Sequence, residues 1–147
     1  MNSIDKRLLD VLERYIASGI EQQVDYEKFY LYSLITHSTA IEGSTITEVE
    51  NQLLFDEGIV AKGRSINEQM MNVDLKNAYF YGFEWAQKMQ FYTVDFLRQL
   101  SAMVMRRTGT KYSVIGGEFD SAQGDLRLCY VSAGVGGSSY LAFAKVP

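Results

Sequence analysis

The one histidine in the chain, His37, stands directly before Ser38. A serine beside a histidine invites a hydrolytic reading. However, adjacent residues on a helix do not face one another, so this pair cannot pass a proton between its own members. A histidine on a helix surface, or packed against it, is the simpler assignment. Cys129 is the sole cysteine. This excludes an intrachain disulfide and any zinc cluster built on thiolates. The run Asp120-Ser121-Ala122-Gln123-Gly124-Asp125 has the outline of a calcium loop but lacks acidic or amide residues at its third and fifth positions, so it reads as a solvated turn. The stretch Gly134-Val135-Gly136-Gly137-Ser138-Ser139 is rich enough in glycine to suggest phosphate binding. It has neither the third glycine of a dinucleotide fingerprint nor the Gly-Lys-Ser/Thr of a P-loop, and no helix signal follows it. A hairpin connection fits it better. One other carboxylate is conspicuous. Glu42 closes the run Ser38-Thr39-Ala40-Ile41-Glu42-Gly43 and is followed by glycine, the pattern of a helix C-terminus with glycine in the left-handed position.

The elements that would carry these residues are legible from periodicity and capping signals. Ile4, Leu8, Val11, Leu12 and Tyr15 share one helical face, and Gly19 can end that helix. Asp25 can cap a second helix, with Tyr26, Phe29, Tyr30, Ser33 and Leu34 at 3–4 spacing, running to about His37 or beyond. Thr47 and Glu50 have capping-box spacing and open a third helix, which stops near Gly58. Ser65 and Glu68 repeat the spacing and open the longest helix, to about Met89. Its apolar residues wrap most of its circumference, which predicts a central, covered helix. Thr93 can cap a fifth, with Phe96, Leu97, Leu100, Met103 and Val104 facing inward and Gly109 as a left-handed stop. Beyond it the texture turns glycine-rich. Leu126–Val131 and Ser139–Ala144 read as two strands of a hairpin. The expected fold is therefore mainly α, a helical bundle with a C-terminal β-hairpin. It forms a single domain over 1–147, helical over about 1–109 and loop plus hairpin over about 110–147.

Composition narrows the functional classes. With 47% hydrophobic and 22% charged residues the 147-residue chain has ordinary globular composition, and its net charge of −4 lacks the basic surplus of a nucleic-acid binder. Lys6-Arg7 and Arg106-Arg107 are the only adjacent basic pairs, and the second is explicable by a nearby helix end. The N-terminus, with Asp5, Lys6, Arg7 and Asp10, is not a signal peptide, and no apolar run approaches the ~18 residues that span a bilayer. A cytoplasmic protein without a membrane or nucleic-acid partner is the expectation. The final Pro147, directly after a strand-like run, gives the chain the look of one cut short.

The segment Ser38–Gly43 also resembles the inhibitory motif of Fic-family proteins: a Ser or Thr, three residues, then Glu and Gly or Asn. The run Ile41–Glu50, the Lys62-Gly63-Arg64-Ser65 entry to a long helix, and Phe119-Asp120 with Gly124–Val131 are similar to later parts of that family, so the resemblance covers about residues 34–147. It implies a Fic-like, incomplete fold from an enzyme that transfers AMP from ATP to a protein hydroxyl. Ser38, Glu42 and Gly43 would be inhibitory. Arg127, Leu128, Cys129, Tyr130 and Val131, with Tyr140, Leu141 and Ala142, would form the family's target-docking flap. The family's catalytic His-x-Phe-x-(Asp/Glu)-Gly-Asn-Gly-Arg stretch is missing from this sequence. The resemblance therefore implies no catalytic residue here and no cofactor for this chain alone, ATP and magnesium belonging to the complete family fold. The implied partners are a protein target at the hairpin, and either a C-terminal catalytic part of the same protein or a separate catalytic chain.

Overall fold

The computed structural model describes residues 3–132, 139–140 and 142–145. The helices fall where capping places them: α1 over Ser3–Ser18, α2 over Tyr26–Ile41, α3 over Glu48–Glu57, α4 over Ile66–Gln87 and α5 over Val94–Val104. Asp25 accepts from the Lys28 amide at the start of α2, and Thr93 accepts from Phe96 at the start of α5. Both α3 and α4 open with complete capping boxes, Thr47 with Glu50 and Ser65 with Glu68. Each box satisfies two amides that the first turn would otherwise leave without partners.

The chain is mainly helical, with α4 packed against α2 on one side and α5 on the other. The two contacts differ in kind. Between α4 and α5, Tyr81 and Trp85 meet Phe96 with ring centroids 5.6 and 4.5 Å apart, and Phe96 is buried. Between α2 and α4 the buried residues are largely polar: Thr36, Thr39 and Asn72, joined by Asn51 from α3. Among the described residues the buried apolar core is small, consisting of Ile35, Ile46, Ala78, Phe96 and Phe119. Several residues of the apolar stripes, including some of α4 and α5 expected to be covered, stay open. Leu8, Val11 and Leu12 of α1, Tyr30 and Leu34 of α2, Phe80 and Phe83 of α4 and Leu97 of α5 are all exposed. Their helical spacing is apolar, but the second surface that would cover it is not supplied by this bundle.

The sheet is a two-stranded antiparallel hairpin, β1 over Lys111–Val114 and β2 over Gly117–Asp120, paired Lys111↔Asp120 through Val114↔Gly117. Tyr112 and Phe119 stack across it, 4.9 Å between centroids. A C-terminal hairpin was expected, but not here. Leu126–Val131 forms no strand. Among the described residues, pairing in the expected place is one antiparallel bridge, Ser132↔Ser139, with the Tyr140 amide donating to the Val131 carbonyl at 3.1 Å. The cause is tertiary: Leu128 lies against the β1–β2 turn, so close that a Cβ on Gly116 would stand 2.5 Å from its carbonyl oxygen. Residues 133–138 and Leu141 lie outside the described residues.

Gly109 also departs from expectation. It is absent from the positive-φ glycines, and α5 ends earlier, at Val104. A Cβ there would come within 2.6 Å of the Ala122 amide nitrogen, so glycine is needed for close approach and not for a left-handed stop. The Asp120–Asp125 turn is held by its own acids. Asp120 accepts from the Ala122 amide at 2.9 Å, and Asp125 accepts from the Asp120 amide at 3.0 Å and pairs with Arg98 at 3.2 Å.

Candidate functional site

The C-terminal end of α2 carries Ser38, Glu42 and Gly43. Glu42 is the helix C-cap, and Gly43 follows with φ +93°. The Gly43 amide donates to the Ala40 carbonyl at 3.0 Å and the Ser44 amide to the Thr39 carbonyl at 3.0 Å. These paired bonds form a Schellman motif, which requires a left-handed residue where Gly43 stands. The backbone at Glu42 is thus fixed, while its side chain is exposed and makes no hydrogen bond or ion pair with the described residues. Ser38 is half-buried and its hydroxyl likewise has no such partner.

The anchoring of this helix end falls to Thr39, which the sequence reading did not single out. It is 2% exposed, and its hydroxyl lies 2.8 Å from Asn72 Oδ1. The same oxygen accepts from Asn51 Nδ2 at 2.7 Å, and Asn51 Nδ2 also donates to Thr36 Oγ1 at 2.8 Å. Asn72 Nδ2 donates to Ser44 Oγ at 3.2 Å and to the Glu68 carbonyl at 2.9 Å. Asn72 therefore ties α2, α3, α4 and the loop after Glu42 at one point. Asn51 Oδ1 has no hydrogen-bond partner among the described residues. The available signal was a pair of asparagines on faces that otherwise pack. Buried amides are kept only where their bonds are made.

A second brace acts on the loop that follows. Glu68 Oε1 accepts from the amide and hydroxyl of Thr45, both at 2.8 Å, while Oε2 accepts from the amide and hydroxyl of Ser65 at 2.9 and 2.8 Å. One carboxylate thus caps its own helix and clamps the segment leaving Glu42. These bonds, the Thr45 amide's first, hold the Glu68 carboxyl down at about 2. Beside it, Arg64 grips Glu50 with Nε and Nη2, at 3.2 and 3.1 Å, and donates from Nη1 to Thr45 Oγ1 at 2.9 Å. The Thr47 amide, then Arg64, lowers the Glu50 carboxyl as well.

A pH prediction follows. The folded-state value of Glu68 lies below its ordinary 4.5, so its contribution to stability is complete above that value and disappears as pH falls toward about 2. Glu50 acts in the same direction. Urea midpoints measured across this range should fall for the wild type. Glu68→Gln should fall less steeply, keeping the shares of Glu50 and Asp56, whose carboxyl the bond from Lys28 lowers first. Identical slopes in the two proteins would show that the clamp does not depend on charge.

The other candidates resolve structurally. His37 is exposed on α2 with Nε2 3.1 Å from Glu48 Oε1, which also accepts from Ser33 Oγ at 2.7 Å. Among the described residues no cluster of His, Cys, Asp and Glu could hold a metal ion, and no helix is long and apolar enough to cross a membrane. Arg107 donates to buried Asp74 from its amide at 2.7 Å and from Nη1 at 2.5 Å. Tyr32 donates to Asp56 at 2.7 Å, and Lys28 pairs with the same carboxylate at 2.6 Å. Burial, then the bond to Asp56, pushes the Tyr32 hydroxyl up, so it serves as a donor and not as a base.

Of the expected docking residues, Val131 and Tyr140 share one main-chain hydrogen bond, residues 126–131 form no strand, and Leu141 lies outside the described residues. Arg127 Nη1 donates to the Cys129 carbonyl at 2.8 Å, Cys129 and Ala142 are half-buried, and Tyr130 and Tyr140 are exposed at 74% and 59%. Comparison with protein-family models, curated proteins and solved structures finds no match to this chain.

Proposed function

We propose that this chain is the inhibitory and target-docking portion of a Fic-type protein AMP-transferase, an enzyme that moves AMP from ATP to a protein hydroxyl. The observation that carries the reading is Glu42: an exposed, unpaired carboxylate on a backbone clamped by the Schellman turn, the Asn72 network and Glu68. A carboxylate so fixed is suited to take an arginine donor beside a phosphate pocket and to repel the incoming anion. Rigidity matters because an inhibitor on a loose loop would yield the arginine to ATP at little cost. The complete enzyme would use ATP and magnesium. This sequence holds no His-x-Phe-x-(Asp/Glu)-Gly-Asn-Gly-Arg stretch, so the chain alone is expected to transfer no AMP.

A second reading is a separate regulatory module that supplies the inhibitory helix to another catalytic chain. The irregular course of residues 126–131 favours it, since an inhibitor needs no strand edge for a target.

Both readings make Glu42 the restraining group, and one experiment tests it. The chain is joined to, or mixed with, a Fic catalytic domain lacking its own inhibitory helix, and AMP transfer is followed with labelled ATP. Glu42→Gly should raise the rate about ten-fold or more, the worth of a charge-assisted pair of 1.5–3 kcal/mol. Glu57→Gly, at an exposed residue near the end of α3, is the control. Glu50→Gly is unsuitable because Glu50 holds Arg64. An unchanged rate with folded Glu42→Gly protein would remove the inhibitory role. Loss of inhibition only in the joined form would favour the first reading over the second.

A further inference from the structure

The chain exposes 10929 Å² of surface, whereas a folded monomer of 16.7 kDa exposes about 7,600 Å². The surplus, roughly 3,300 Å², exceeds the total area of a standard protein–protein interface, about 1,600 Å². Two unpartnered apolar surfaces contribute to it. One is α1, whose principal packing within the chain is on the 3-10 turn Ile20–Gln22 just after it. Leu8, Val11 and Leu12 lie at i, i+3 and i+4 and are 68, 62 and 49% exposed. A lone 16-residue helix is marginal in water, so this face needs a groove. The other is a groove between the N-terminal half of α2 and the C-terminal half of α4. Tyr30, Leu34, Phe80 and Phe83 line it, with Glu27 and Glu84 at its rim.

We propose that α1 of one copy docks in the α2–α4 groove of a second copy, giving a symmetric dimer by exchange of helices. The two surfaces match in chemistry. The anchor spacing is that of helix-in-groove recognition. Arg7 and Arg14, one heptad apart, border the apolar stripe of α1, and neither has an ion-pair partner among the described residues. Glu27 and Glu84 at the groove are likewise unpaired. Exchange is reciprocal, so each copy covers both of its open faces in one closed, twofold assembly.

The test is mass against concentration by analytical ultracentrifugation. Wild type should be a concentration-dependent dimer. Leu8→Asp with Leu12→Asp, or Phe80→Asp with Phe83→Asp, should weaken it at least ten-fold while helicity by circular dichroism falls by no more than the share of α1. All four residues are exposed, so folding of a single copy does not depend on them. Charge reversal supplies the specific check. Arg7→Glu with Arg14→Glu, and separately Glu27→Lys with Glu84→Lys, should each dimerise poorly, and mixing the two should restore a heterodimer. A wild type that stays monomeric up to about 100 µM, the range of a weak contact, overturns the proposal, whether α1 is free or folds back on its own groove. So does a dimer indifferent to these changes, or reversed variants that do not recover on mixing.

Discussion

Asn72→Ala should cost about 3 kcal/mol of folding stability and lower the melting temperature by about 10 °C for a chain of this size. Asn72 is 0% exposed, and its amide is bonded to Thr39, Asn51, Ser44 and the Glu68 carbonyl. Truncation removes four bonds and leaves a small void, but the neighbours lose unequally. The Thr39 hydroxyl can fall back on the carbonyls of Ile35 and Thr36, at 3.1 and 3.2 Å. One N–H of Asn51 has no such alternative and is left buried without an acceptor. Ser44 keeps the Ile46 amide at 3.4 Å. The ranking is therefore part of the prediction. Thr39→Val should cost less than half as much, because Asn72 Oδ1 still accepts from Asn51. Urea denaturation of both variants decides it, and equal costs would mean the network is not centred on Asn72. Because the same network fixes the loop after Glu42, Asn72→Ala should also loosen the C-terminal end of α2, seen as faster amide exchange at Gly43 and Ser44.

Arg107→Ala should be more damaging still, by about 3–5 kcal/mol, the usual cost of stranding one partner of a buried ion pair. The Asp74 side chain is 0% accessible, and Arg107 is its only side-chain partner among the described residues. Arg107→Ala leaves the carboxylate with one main-chain donor. Asp74→Asn in the Arg107→Ala background should recover part of the loss, because a neutral amide in the same dry position carries no charge to strand. A double-mutant cycle by thermal or urea unfolding reads this directly, with a double variant no more stable than Arg107→Ala as the contrary result. The pair ties α4 to the segment that leads from α5 into β1. Arg107→Ala should therefore also broaden the amide signals of Lys111–Asp120 before global unfolding.

The helices and the candidate carboxylate were legible before any coordinates because their signals are local. A capping box closes over three residues, and both boxes were read at their true positions, Thr47 with Glu50 and Ser65 with Glu68. Glu42-Gly43 was read as a helix end for the same reason, since glycine in a left-handed position satisfies carbonyls only a turn away. The mainly α bundle with a small C-terminal hairpin follows from these signals and from the glycine-rich texture after α5.

Position of the hairpin was not legible. Both Tyr112–Val114 and Leu126–Val131 have strand-like residues. The choice fell to Gly116-Gly117, which permits the tight β1–β2 turn, and to Leu128, which lies over that turn while its own segment forms no strand. Nor could periodicity tell which apolar stripes are buried. It gives α1 and α4 a face but not a partner, and Leu8, Phe80 and Phe83 remain exposed. Least legible was what holds Glu42 in place. Thr39 and Asn72 are 33 positions apart, as are Asp74 and Arg107. The sequence by itself determined where the helices start and stop and that a carboxylate closes α2, because those features depend on bonds within one turn. Only the tertiary structure decided which strands pair, which faces stay open and which hydroxyls and amides lock that carboxylate's backbone. Those depend on distant segments meeting, and a buried polar group declares its partner only when both are brought out of water together.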